Sequence, residues 1–444
     1  MVKLESLKTL SQVESIKDVK PLAKTVFPGA HCPLFGSALI LKGVTDALMI
    51  VIGTDECTYY TKKFSLGYDS FGGMDGRCVS LVLDQHDVTF GCAKKLEAGI
   101  RQMYQERKPS AIFLVTTCVV EITGDDVDSV GDVLSDELGI PIVTVHTEHF
   151  RCESHMQGME RVLTACAELM EPCDEQVDGI NILGHRFGEL EKTEFVHVLQ
   201  DHDICVHMKL PSDECTVADV ANASAAKVNV VTNAIALPLA KKMQTRFGIP
   251  YIEFYNFCSP DAVYHAYKDL FDYLGKPFPK ELEEKYQHAL ATVAEAKKTL
   301  DGKSFIYGNT TLPIFECIAF LVSLGMKPLL VQTKEIPEEQ QCYIEQIKNA
   351  GYDPYITKSA NITPLQPLYD ILKPTFYIGH ENPMNLIKKG ITQLTLDKAA
   401  KKLGFELTEE VVSVFVNAAS APNQIPESMR AMMEMMKQGG VKRG

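Results

Sequence analysis

Tryptophan is absent from this 444-residue chain, and so is any Cys-x-x-C pair; the closest cysteines, Cys166 and Cys173, lie seven residues apart. The usual zinc ribbons and knuckles are thereby disfavoured. No apolar run approaches the roughly 20 residues that a membrane helix needs, and the opening Met1-Val2-Lys3-Leu4-Glu5-Ser6 lacks the apolar stretch of a secretory signal. A soluble, cytoplasmic protein with no membrane partner is the expectation. Basic blocks never exceed a pair and the formal net charge is −14, so nucleic acid is a poor partner. Gly302-Lys303-Ser304 ends like a phosphate loop, but Lys297 stands where a Walker A sequence has its first glycine. Any ATP hydrolysis must come from another protein.

What the chain has is thirteen cysteines scattered without a secretory signal, which points to free thiols or metal ligands rather than disulfides. Its length predicts several units of about 100 to 200 residues. From Ala47 to about Ala167, short β-rich runs alternate with amphipathic helical stretches: strands at 47–52, 78–83, 111–118 and 142–145, helices near 94–107 and 125–138. A second set opens at Gly179 with strands near 180–184, 204–206, 228–231 and 251–254, and a long helical stretch over 259–300 follows. A third contains strands at 304–309, 329–331 and 375–378. The pattern predicts an α/β fold of three Rossmann-like units, mainly parallel sheets covered by helices, over 1–172, 173–300 and 301–444. The tail beyond Pro426 carries Met429, Met432, Met433, Met435 and Met436, a stripe suited to adaptable packing.

Three cysteines occupy comparable contexts. Cys32 lies in a loop, and Cys57 and Cys118 each follow an apolar strand, with separations of 25 and 61 residues. Open α/β sheets bind ligands beyond the carboxyl ends of their strands, and thiolates there suit iron-sulfur chemistry. On spacing alone, three ordinary buried cysteines would be the better reading, and it is the contexts that shift it toward ligands. Asp125 and Asp126, at a helix start, are read as caps. His380 and Glu381 follow a strand end and face either a cavity or solvent.

An ordered series of segments resembles the component 1 superfamily of nitrogenase, which spans molybdenum-iron protein α- and β-type subunits, cofactor-assembly relatives and nitrogenase-like oxidoreductases. The series is Gly53-Thr54-Asp55-Glu56-Cys57, Asp87-Val88-Thr89-Phe90-Gly91-Cys92, Lys108-Pro109-Ser110, Thr116-Thr117-Cys118 with Gly124-Asp125-Asp126, and Val145-His146-Thr147-Glu148-His149-Phe150. It covers about residues 27–165 and extends more loosely to Gly390. The resemblance implies that Cys32, Cys57 and Cys118 ligate an iron-sulfur cluster, 4Fe-4S or a larger bridging one. The cluster would be shared with a paralogous component 1 subunit or a second copy of this chain. It also implies an ATP-hydrolysing iron protein of the nitrogenase reductase type as electron donor, oxygen sensitivity, and reduction of a substrate that the sequence does not name.

Departures from the family pattern matter as much. The cysteine that holds the catalytic cofactor in α-type subunits is replaced by Thr232, and no matching histidine follows Lys389-Gly390-Ile391, so dinitrogen is disfavoured as substrate. His149 and Cys152 lie where β-type subunits bring an extra side chain to the cluster, while Cys92, Cys215 and Cys258 read as buried thiols. A cofactor-assembly scaffold and a cluster-free binding or regulatory protein remain as alternatives.

Overall fold

The computed structural model describes residues 4–20, 22, 31–63, 76–152, 154–308, 310–358 and 365–420. The Met-rich tail lies outside them. Three sheets carry the fold, and helices cover them.

In the first sheet the order is Cys78–Val82, Ala47–Gly53, Ala111–Thr116, Ile142–Val145, and every pairing is parallel. The two central strands are buried at every position. A parallel strand covered on both faces has no polar side to offer, which is why these segments read as unbroken apolar runs. The second sheet repeats the plan with Cys205–Leu210, Val177–Leu183, Ala226–Val231 and Tyr251–Glu253, again all parallel. The third has six strands: Lys8–Thr9, Tyr355–Lys358, Lys327–Thr333, Ser304–Tyr307, Phe376–Ile378 and Thr392–Leu394. Its one antiparallel pair joins the start of the chain to Tyr355–Lys358, and Ser11 fastens that edge through its N–H and hydroxyl to Asp353 at 2.7 and 2.6 Å.

The helical stretch expected over 259–300 divides into Pro260–Leu274 and Lys280–Leu300. Gly275, at φ 65°, ends the first helix in the left-handed conformation that glycine adopts freely, and Pro277 and Pro279 delay the second.

The first and second sheets share one hydrophobic core, and the third has its own. Two helices, Pro33–Leu41 and His155–Ala165, run through the shared core in contact. Their approach is set by two glycines. A Cβ on Gly36 would lie 1.9 Å from the carbonyl oxygen of His155, and one on Gly158 would lie 1.9 Å from that of Pro33. Backbone-to-backbone contact at both points fixes where the first helix begins, and Cys32 is its N-cap residue.

Candidate cluster site and central cavity

Cys57 and Cys118 follow the strands Ala47–Gly53 and Ala111–Thr116, as the sequence suggested, but not in loops. Each sits in the first turn of a helix: Cys57 is third in Asp55–Thr61, and Cys118 opens Cys118–Thr123. With Cys32 as the N-cap residue of Pro33–Leu41, all three thiols are presented at helix N-termini, where backbone N–H groups are left unpaired by the helix. Thr54 Oγ1 donates to Cys57 Sγ at 3.4 Å, and the His149 N–H donates to Cys118 Sγ at 3.2 Å. The Cys32 thiol is pushed up chiefly by burial and further by the charges of Cys118 and Cys57, while the N–H groups of Leu34 and Phe35 pull it down. Two thiols that raise a third share its neighbourhood.

These three cysteines are half-buried, whereas Cys92, Cys152, Cys215 and Cys258 are buried. Burial, assisted by Asp125, lifts Cys92 to about 11, and burial lifts Cys215 to about 12, so both stay protonated thiols. Cys258 lies in an apolar interior beside Cys317 and Glu316, and its thiol is raised well above the ordinary value by burial first. Cys152 is lifted by burial too, and the charge of Cys118 reaches it. The loop from His149 to Cys152 therefore abuts the candidate site through one backbone donor and one buried thiol. Asp126 caps Val127–Leu138 by accepting from the Ser129 N–H at 3.0 Å. Asp125 instead accepts from the Cys92 N–H at 2.9 Å and from Thr123 Oγ1 at 2.6 Å, pinning the turn after Cys118.

Among the described residues, the group of His, Cys, Asp and Glu tight enough for one ion is Asp84, His86 and Asp87, with ligand atoms within 4.8 Å of one another. A capping box explains it: Asp84 accepts from the His86 and Asp87 N–H groups, Asp87 accepts from the Asp84 N–H, and Lys95 pairs with Asp87 at 2.6 Å. The three thiols do not form a group within that limit. Soft thiolates from three separate helix starts are the donor set that iron-sulfur clusters take, so the residues fit the group.

The same elements expose large apolar side chains. Phe90 is 75% and Ile122 74% exposed, with Tyr59, Tyr60 and Phe150 each more than half exposed. Reading by residue type missed a further pair beside Cys118: Glu121 holds His146 Nδ1 at 2.6 Å and accepts from Thr116 Oγ1. Burial works against the charged imidazole, but Glu121, then Asp128 and Glu148, outweigh it and raise His146.

A cavity of about 850 Å³ opens where strands of the second and third sheets end. Its walls come from the segments after Val177–Leu183, Ala226–Val231, Ser304–Tyr307 and Lys327–Thr333, with His155 from the shared helix pair. Thr232 is on this wall, with its hydroxyl donating to the Leu183 carbonyl at 3.1 Å. No cysteine stands among the described residues that line the cavity. His380 reaches the rim, where Nε2 meets Asp397 at 3.1 Å, while Glu381 turns to the Tyr369 hydroxyl at 3.4 Å. Gly302-Lys303 precedes a strand rather than a helix, so no phosphate-binding helix start follows it. No helix among the described residues is long and apolar enough to cross a membrane.

Three mainly parallel sheets, a trio of helix-borne thiols and a cavity beyond the strand ends define a Rossmann-like protein with a candidate polynuclear metal site. Residues 32–397 match the family described as nitrogenase component 1 type oxidoreductase, and the chain belongs to that family. The nitrogenase iron-molybdenum cofactor biosynthesis protein NifE of Clostridium pasteurianum is 30% identical over 72% of this chain and 72% of its own. NifE of Rippkaea orientalis is 26% identical over 83% of this chain and 79% of its own. The nitrogenase molybdenum-iron protein alpha chain of Clostridium pasteurianum is 26% identical over 62% of this chain and 54% of its own. The fold matches that of a solved structure titled "Nitrogenase Cp1 at pH 6.5", with TM-score 0.75, 17% identity, and coverage of 90% of this chain and 94% of the other.

Proposed function

We propose that this chain is one subunit of a nitrogenase-like, two-component oxidoreductase. Cys32, Cys57 and Cys118 would hold an iron-sulfur cluster, 4Fe-4S or larger, at the boundary with a paralogous subunit or a second copy of the chain. The observation that carries this reading is the convergence of three half-buried thiols on three helix starts, bordered by exposed aromatic surface. A cluster held there supplies one-electron storage. Around it, the His149 N–H and the Thr54 hydroxyl donate to thiolate sulfur, which stabilises negative charge on the ligands. Phe90, Ile122, Tyr59 and Tyr60 offer the apolar surface that protein partners cover. One such partner would be an ATP-hydrolysing iron protein of the nitrogenase reductase type, because this chain has no Walker A sequence of its own. The electrons would act on a substrate in the central cavity, and dinitrogen is disfavoured because Thr232 offers no thiolate there.

A second reading, a scaffold on which a metal cofactor is assembled, is favoured by the biosynthetic names of the relatives. It uses the same three thiols. The experiment is iron and acid-labile sulfide per chain on protein purified without oxygen together with its partner subunit. About two or more irons per chain are expected for a shared cluster; an iron-free complex with free thiols overturns both readings. Turnover of a substrate with the iron protein and ATP then selects the oxidoreductase, and transfer of metal to an acceptor protein selects the scaffold.

A further inference from the structure

One wall of the central cavity gathers cationic and hydrogen-bonding groups that have no ion pair or hydrogen-bonded anion among the described residues. Arg186 follows the strand Val177–Leu183, and its guanidinium has no carboxylate within 4.0 Å among the described residues. Its Nη1 lies against the sulfurs of Met156 and Met159 at 2.9 and 3.0 Å, which are weak acceptors, and its Nε is buried with no hydrogen-bond partner. Lys334 follows the strand Lys327–Thr333 and also forms no ion pair among the described residues; burial lowers it, and the charge of its neighbour Glu335 opposes that. His155 Nδ1, His185 Nε2 and Thr311 Oγ1 are buried and unpartnered on the same lining.

Arg186 and Lys334 both act on the His155 ring, which burial first and these two cations next push down to about 4. So the second and third sheets aim positive charge at one place. Of the acidic side chains on the lining, Glu335 stands beside Lys334, Asp213 and Glu214 are exposed on the loop after Pro211, and three others are matched. Glu189 pairs with Lys192 at 2.7 Å, Glu191 with Lys209 at 2.7 Å, and Asp397 with His380 at 3.1 Å, all toward the exposed rim. Buried charge in proteins is ordinarily paired, and buried polar atoms are ordinarily satisfied. Here an anion from outside the chain would do both. Backbone N–H groups at the thiol site serve an anionic cluster, but this wall has no thiol to anchor one. Its donors are a guanidinium, an ammonium and two imidazoles, hard groups that match carboxylate oxygen. The volume of about 850 Å³ is at the upper end of small-molecule sites, far beyond the needs of a diatomic gas.

We infer that the cavity recognises a large organic polycarboxylate, whose carboxylates are held by Arg186 and Lys334 with His155 and His185 donating or accepting beside them. The inference rests on the reading of the cavity as the substrate site, and it names the substrate's class.

The test is calorimetric titration of pyromellitate, a flat tetracarboxylate, into the full chain purified without oxygen with its partner subunit. Its neutral tetramethyl ester and inorganic phosphate are titrated alongside. Pyromellitate binding is expected, with the ester silent. Arg186→Gln and Lys334→Gln should each weaken binding at least about tenfold; Arg186→Lys should recover part of the loss, and Lys192→Gln on the rim should change nothing. Two variants from different sheets guard against one failing to fold. No pyromellitate binding, equal binding of the ester, tighter binding of phosphate, or unchanged affinity in both variants would each overturn the polycarboxylate site. Iron is measured on the same samples: binding without iron removes the redox reading and leaves this site standing, and iron without binding does the reverse.

Discussion

Thr117 fills the space that a side chain at position 53 would need. Its hydroxyl donates to the Ile52 carbonyl at 2.9 Å, and a Cβ on Gly53 would lie 2.1 Å from that hydroxyl oxygen. Gly53 ends the strand that leads to Cys57, and Thr117 is the N-cap residue before Cys118, so this contact holds the two thiol-bearing turns in register. Gly53→Ala should cost about 1 to 3 kcal/mol by overpacking, and Thr117→Ala about 1 kcal/mol for a lost buried hydrogen bond. The two should not add, because removing the hydroxyl and methyl of Thr117 relieves the clash that the Gly53→Ala methyl creates. A double-mutant cycle on unfolding midpoints checks this; strictly additive losses would disprove the steric coupling.

Removing one thiol at a time should separate ligands from packing. Cys57→Ala and Cys118→Ala should each lower bound iron per chain by half or more. Cys166→Ala should leave iron unchanged while costing about 1 kcal/mol, because that thiol is fully buried in the shared core and its loss is one of volume. Iron assay on the anaerobically purified complex is the readout. Equal iron in all three variants would remove the thiol trio from the proposal.

Much of this arrangement was legible in the sequence because parallel strands buried on both faces must be apolar throughout, and Ala47–Gly53 and Ala111–Thr116 are. Tyr355–Lys358, Thr392–Leu394 and Lys8–Thr9 were missed. They are two to four residues long, and pairing with distant strands rather than local pattern makes them strands. The cysteines stood out by their contexts, but the helical turns that hold Cys57 and Cys118 did not, since six or seven residues give too little periodicity to separate a short helix from a loop. Arg186 and Lys334 were passed over entirely. Lys334 directly follows a strand end and Arg186 comes three residues after one, and that position was the signal; their lack of an ion pair among the described residues exists only in three dimensions.

The glycine pair between the two core helices makes a sharper demand than either sequence segment shows. On Gly158→Ala the new Cβ would meet backbone atoms of Pro33, which cannot rotate aside, so the helices must part. A loss on the order of 3 kcal/mol is expected. Because Cys32 caps one helix and His155 begins the other, iron content and anion binding in the cavity should fall together. Gly99→Ala is the control. Its Cβ would approach only the Leu81 Cδ1 end of a flexible side chain, at 2.9 Å, and both readouts should be spared. Loss of one readout without the other in Gly158→Ala would show that the two sites are positioned independently.

Glu316 should make stability depend on pH. The carboxyl is fully buried and accepts from the N–H groups of Cys258 and Ser259 at 2.9 to 3.0 Å. Burial raises it to about 7 from the ordinary 4.5, and those N–H groups oppose the rise without cancelling it. The folded chain therefore holds this proton more tightly than the unfolded chain does. Its contribution is full below about pH 4.5, declines as pH rises toward 7, and is flat above. At 1.36 kcal/mol per unit the whole decline is about 3 kcal/mol. Glu316→Gln keeps an acceptor for the two N–H groups and removes the titration, so the variant should gain on the wild type by about 2 to 3 kcal/mol between pH 5 and pH 8. Denaturant midpoints of both proteins across that range measure it. Parallel curves would mean that Glu316 reaches the same protonation in the folded and unfolded chains, and the raised carboxyl would have to be abandoned.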